Sequence, residues 1–329
     1  MALAGTASQR TVIRPAWPAQ ALPALVFATL VAAGAELVLL RLISRVGVHI
    51  PAAGWARGAY TAAVALGNLV FPAATVLATG TLLVMGLALL RWWPAAGVVA
   101  LALPAGQLWL LARGTGAEAV ALLEALLATA LLAVPFLTAS APRGTRLVLA
   151  LTAIGETLAL VQAAAANLSA QGAPRLPLAL ATAGEVVMLV ALLVLPVLVP
   201  PRGWDRAALA AGFGAALLVA LVLAANGSTT RILALWTFGI AMVAPSPLYG
   251  LAAGALAATV IAHARGGQPA YAAGLTLIAL GGYLPGNSYQ ATLLLGGMLL
   301  LAFPRLLGPP AEGGTAQRGR DATALRPGA

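Results

Sequence analysis

Cysteine and lysine are both absent from this chain of 329 residues. Without cysteine there is no disulfide, no thiol nucleophile and no zinc site built on thiolates. Without lysine, all 18 basic residues being arginine, there is neither a Schiff base for retinal or pyridoxal phosphate nor a P-loop lysine. Aspartate occurs only as Asp205 and Asp321, both outside the long apolar runs. A pair of intramembrane aspartates, for proteolysis or for holding a magnesium diphosphate, therefore cannot be assembled. The two histidines, His49 and His263, sit at the ends of apolar runs on faces expected to be opposite, which argues against a haem held between them. Charge of any sign is rare: 8% of residues are charged and 61% are hydrophobic, against about 25% charged in an ordinary soluble domain. These shortages exclude a soluble globular fold and most acid–base, thiol and metal chemistry, and no cofactor or metal is expected. The net charge of +10 does not point to nucleic acid, because the arginines are spread singly or in pairs between apolar runs.

What is present is a succession of apolar runs. Crossing a bilayer takes about 20 apolar residues in a helix, which predicts about ten spans, near 22–40, 62–90, 94–112, 117–138, 146–169, 178–200, 207–226, 231–263, 270–285 and 288–304. The expected fold class is all-α: a polytopic integral membrane bundle of about ten transmembrane helices over 21–304. It is flanked by a disordered segment over 1–20 and a disordered basic tail over 305–329. The first apolar run lacks a small-residue cleavage site and is read as retained. Trp17, Trp55, Trp92, Trp93 and Trp204 fall near span ends, where an amphipathic ring prefers the headgroup layer. The run 231–263 is long for one span and short for two. Pro245 and Pro247 interrupt it, so one kinked or re-entrant helix is expected there.

Arginines set the orientation. With ten spans, the side bearing both termini carries 12 of the 18, or 9 against 6 when the three most distant tail arginines are set aside. Both termini are then expected in the cytoplasm and the protein in the cell membrane.

Five of the six glutamates run against the composition by lying within predicted spans: Glu36, Glu118, Glu124, Glu156 and Glu185. An ionised acid deep in the bilayer costs on the order of 3 kcal/mol on insertion scales, and no arginine lies in mid-span to offset it. Each acid must carry a proton, hydrogen-bond to a neighbour or face a water-filled cavity. Helical spacing places Thr152, Glu156, Ala159, Ala163 and Asn167 on one stripe that should face protein. Span boundaries put Glu124 and Glu185 about 10 Å below the outer surface, Glu156 near the midplane and Glu36 toward the outer end of its helix. Four acids from four helices are thus placed to converge in the outer half, while Glu118 reaches the headgroups.

Two roles fit the acids equally: a shared proton or cation site, and hydrogen-bonded locks between helices with partners such as Asn68, Gln107 or Gln162. Near the end of the chain Tyr249, Tyr283, Asn287 and Tyr289 are candidates to line a polar cavity, or are interface residues at a short loop. The small-residue motif "GLAAG" at 250–254 reads as helix packing. Arg41, Arg45 and His49, spaced by four, predict that the first helix continues as a basic face.

The sequence thus predicts a multi-pass membrane protein. The leading reading is a proton- or cation-coupled secondary transporter of a small solute, with Glu36, Glu124, Glu156, Glu185 and Asn167 as coupling candidates. Its rivals are a non-catalytic membrane subunit or scaffold with structural glutamates, and a lipid-modifying enzyme, the last disfavoured by the shortage of His, Asp, Cys and Lys. The expected partners are the lipid bilayer, a small solute and a proton or cation.

Overall fold

A computed structural model of the chain describes residues 21–47, 54–113, 116–138, 141–168, 175–225, 246–283 and 288–308. All regular structure among the described residues is helical. The elements are α1 (Leu22–Gly47), α2 (Gly54–Leu90), α3 (Pro94–Arg113), α4 (Ala117–Leu137), α5 (Arg143–Leu168), α6 (Arg175–Leu198), α7 (Arg206–Ala225), α8 (Ser246–Arg265), α9 (Pro269–Tyr283) and α10 (Ser288–Ala302), closed by a 3-10 turn at Pro304–Leu307. Helix is the form that leaves no backbone group unpaired in hydrocarbon. Alanine and leucine, which dominate these segments, are also its best formers.

Stretches within α1, α2, α4, α5 and α8 are long and apolar enough to cross a membrane, while those in α3, α6, α7, α9 and α10 are shorter. Pro94 and Pro269 open their helices, where the missing N–H is one of the unpaired donors anyway. Four prolines, Pro72, Pro104, Pro135 and Pro196, lie inside helices. The first helix does continue past residue 40, as far as Gly47.

Only the second half of the proline-interrupted run falls among the described residues. Residues 231–245, with Pro245, lie outside the described residues. Pro247 is the second residue of α8, in the first turn of a straightforward helix start. It therefore kinks nothing that is described. The short elements are instead α9 and α10, 15 residues each, or about 22 Å at 1.5 Å per residue, less than the roughly 30 Å hydrocarbon layer.

Packing follows the chain around a ring. Each of α1 to α5 packs on its successor; α6 then packs on α8, α8 on α9, and α9 back on α1. Helix α7 lies outside this ring against α8, and α10 lies inside it, against α2, α3, α4, α5 and α9. Every residue of α10 from Thr292 to Ala302 is buried. A helix apolar on all faces has no side that prefers lipid over protein, and this one takes the centre.

Glycine sets the closest crossings. A Cβ on Gly184 of α6 would stand 2.5 Å from the Gly155 carbonyl oxygen of α5, and one on Gly254 of α8 would stand 2.7 Å from the Gly212 carbonyl oxygen of α7. Between α9 and α10, a Cβ on Gly297 would meet the Gly274 carbonyl oxygen at 2.6 Å. Helices this close gain dispersion contact that a lipid tail cannot match. The "GLAAG" motif is part of the α7–α8 crossing, since Gly250 also abuts the Ala216 carbonyl.

The outer surface carries large apolar side chains such as Phe136, 85% exposed, Val197, 80%, and Phe213, 73%. A water-facing surface of this kind would be unfavourable over its whole extent; in hydrocarbon it costs nothing. Alternation of the helices brings the α2–α3, α4–α5, α6–α7 and α8–α9 turns to one end, where Trp93 packs on Phe303 at 5.0 Å between ring centroids. That end carries Arg91, Arg143, Arg146, Arg202, Arg206, Arg265 and Arg305, and α1 meets the closing 3-10 turn there. Asp205 accepts the Ala208 N–H at 2.7 Å as the N-cap of α7 and is ion-paired with Arg265. Both interactions hold its carboxyl below the usual carboxylate range, the capping hydrogen bond most of all. Close by, His263 is buried, stacked on Tyr271, and joined through its ring nitrogens to Gln268 at 2.8 Å and to the Val199 carbonyl at 3.1 Å.

Candidate functional site

The acids stand at similar distances along their helices. Counted from Leu22, Leu137, Arg143 and Leu198, the ends nearest the arginine-rich face, Glu36, Glu124, Glu156 and Glu185 lie thirteen or fourteen residues in. That is roughly 20 Å at 1.5 Å per residue. Helix α5 begins at Arg143 and α1 runs on to Gly47, so these counts differ from the staggered spacing that hydropathy predicts.

Lateral placement divides the four. Glu156 and Glu185 stand on neighbouring helices, and Glu124 is on α4, which also packs on α5. Glu36 is on α1, whose main neighbours are α2 and α9, so the central helix separates it from the others. Glu36 and Glu156 are each 4% exposed, and Glu124 and Glu185 are half-buried. Glu118 is exposed in the first turn of α4, where a negative charge suits the helix N-terminus. Thr152, Glu156 and Ala159 of the proposed stripe are all buried; the side chains of Ala163 and Asn167 lie outside the described residues. So do those of Tyr283, Asn287 and Tyr289.

Glu156 and Glu185 are related by the crossing that precedes them. Gly155 and Gly184 meet where α5 and α6 touch, and each is followed by its glutamate. Successive residues on a helix turn by about 100°. In an antiparallel pair, the successors of two facing residues therefore turn to the same side. That side looks onto a narrow cavity lined by Thr152 of α5, Met188 and Leu192 of α6, Leu256 of α8 and Ile278 of α9. Glu156 lies one turn beyond Thr152 on the same face, Glu185 one turn beyond Met188, and Tyr249 two turns beyond Leu256. Helical spacing thus sets Glu156 at the same height as the Tyr249–Glu185 pair, one turn or two beyond this cavity and away from the arginine-rich end.

At that height Tyr249 donates a hydrogen bond to Glu185 Oε1. Their 64 residues of separation hid the pairing from the sequence reading, which had put Tyr249 with a different group of residues. Glu185 Oε2 and the Thr157 hydroxyl are buried without a hydrogen-bond partner among the described residues. No described donor reaches Glu156 or Thr152 either. Buried polar groups in proteins are nearly always bonded to something, and exceptions mark water, ions or function. Unmet hydrogen-bonding capacity is thus gathered on two adjoining helices.

A second polar cluster escaped sequence reasoning because threonine is unremarkable in any apolar helix. Thr29 and Thr81 share a hydrogen bond of 2.8 Å between α1 and α2, and Gln107 of α3 donates to Thr292 of α10 at 2.9 Å. No group of acids and histidines able to hold a metal occurs among the described residues. Comparison of the chain with protein-family models, with curated proteins and with solved structures found no match.

Proposed function

We propose that this chain is a multi-pass protein of the cell membrane, about ten spans with both termini cytoplasmic. In this reading it carries a small solute in exchange for protons or a cation, which bind at the Glu156–Glu185–Tyr249 layer. What carries the reading is the Glu156 carboxyl: 4% exposed, one turn along α5 from the cavity-lining Thr152, with no described donor to satisfy it. Such a group must discharge, acquire a counter-cation or be hydrated in turn, and a carboxyl that changes among these states is what coupling requires. Glu185 is the second carrier, with Tyr249 holding one of its oxygens and leaving the other for the exchanging species. Glu124, one helix away on α4, is placed to relay toward them. Glu36, across α10, takes no part in this layer. The arginines gathered at the opposite end support the orientation.

A scaffold role also has a specific observation in its favour: the Tyr249–Glu185 bond ties α6 to α8 whatever else it does. Flux separates the two readings. The full chain is reconstituted in proteoliposomes, and proton movement is followed with an internal pH dye under an imposed gradient. Wild type should conduct, Glu156→Gln should abolish movement, and Glu185→Gln should reduce it strongly. Equal flux in all three, including none in any, refutes the coupling role and leaves the scaffold.

A further inference from the structure

We propose that the cavity between α1, α2 and α10 is a binding site for one internal water, which bridges the Thr29–Thr81 pair to Thr292 and so adds to the contacts that hold the central helix in its rotation. The site is separate from the acids of α5 and α6 and does not depend on the function proposed for them.

Thr61, Thr75, Thr129, Thr259 and Thr276 each donate to the carbonyl four residues back on their own helix, the ordinary resort of a threonine in an apolar segment. Thr29 and Thr81 do otherwise: they are turned toward each other across the α1–α2 interface, 2.8 Å apart. Two hydroxyls bring two hydrogens, and one hydrogen bond between them consumes one. The other has no acceptor among the described residues, although Thr29 is 1% exposed and Thr81 3%. A buried hydroxyl hydrogen left unmet destabilises the fold.

The cavity supplies the answer. Thr29, Thr81 and Thr292 all line it, with Leu82, Leu277 and Leu293 as its apolar walls. The space admits about one water, which needs two to four polar partners. Three hydroxyls from three helices meet that need. They are too few for a monovalent cation, which would require further oxygens and a nearby countercharge; Glu36 lies two turns away on α1. The chain Thr29–Thr81–water–Thr292–Gln107 then joins α1, α2, α10 and α3 through hydrogen bonds. From Leu293 to Ala302 α10 is apolar on every side, so few polar contacts are available to set its rotation, and the hydrogen bonds at Thr292 act there together with the Gly274–Gly297 crossing.

Hydroxyl-radical footprinting of the full chain in nanodiscs tests the site, because X-ray radiolysis labels buried side chains only where a bound water lies beside them. Leu82, Leu277 and Leu293, each 1% exposed, should be labelled in the unmodified chain, and the label should fall to background in the isosteric double variant Thr29→Val/Thr81→Val. Absence of label at these leucines in the unmodified chain overturns the proposal, and that result does not depend on any variant folding. Label that persists in a folded double variant also overturns it. A rise in melting temperature with sodium over choline that Thr81→Val removes would reassign the site to a cation and equally overturn the water.

Discussion

Replacing Gly184 by alanine should damage this protein more than the size of one methyl group suggests. The new Cβ would stand 2.5 Å from the Gly155 carbonyl oxygen and 3.2 Å from Leu158 Cβ. A backbone oxygen cannot rotate away, so α5 and α6 must separate by about 1 Å to restore ordinary contact, at an overpacking cost of about 1 to 3 kcal/mol. Gly155→Ala is a graded comparison. Its first obstacle is Met188 Cγ at 2.6 Å, the middle of a flexible side chain, and the Gly184 carbonyl oxygen at 3.1 Å is tight but farther than the 2.5 Å met in the reverse case, so its cost should be the smaller of the two. Gly34→Ala is the control: nothing lies within 4 Å of its Cβ, and alanine should add up to about 1 kcal/mol of helix propensity. Thermal unfolding in detergent, followed by intrinsic tryptophan fluorescence, should rank Gly34→Ala at or above wild type, then Gly155→Ala, then Gly184→Ala. Because Glu156 and Glu185 follow the two glycines directly, Gly184→Ala should also impair any flux that depends on them. A Gly184→Ala protein as stable as Gly34→Ala would show that the crossing is looser than described and refute the reasoning.

Tyr249→Phe removes the donor to Glu185 while keeping the ring, and should lower stability by about 1 to 3 kcal/mol in the same unfolding assay; in a Glu185→Gln background, where the bond is already altered, the loss should shrink. At the arginine-rich end, the Asp205 carboxyl sits below its unfolded range because its charge is capped by the Ala208 N–H and paired with Arg265. A depressed acid stabilises the fold above the unfolded carboxylate range and loses that contribution as pH falls through the folded value. Wild type should therefore lose melting temperature on acidification below about pH 4 more steeply than Asp205→Asn, and identical slopes would remove the ion pair and cap from the account.

Composition alone decided the class of this molecule. Where 61% of residues are hydrophobic and 8% charged, burial in hydrocarbon is the only stable disposition, and helix is the form an isolated segment can take there. Prolines and arginines then mark the ends, which is why most of the described helices begin and end close to the boundaries that hydropathy predicts, the exceptions including α1 and α2, which run on toward each other. The inward stripe at Thr152, Glu156 and Ala159 was equally legible, since a polar residue among apolar ones identifies a face. What hydropathy could not supply was which faces meet. In a lipid-soluble chain nearly every face is apolar, so the pattern that tells a soluble helix which side to bury is missing, and partners are chosen by shape and by a few hydrogen bonds. The Gly155–Gly184 crossing, the Tyr249–Glu185 bond, the Thr29–Thr81 pair and the central position of α10 all join residues distant in sequence and of ordinary type. Only the tertiary structure selects them, because close packing is a property of two surfaces together and neither sequence segment contains it alone.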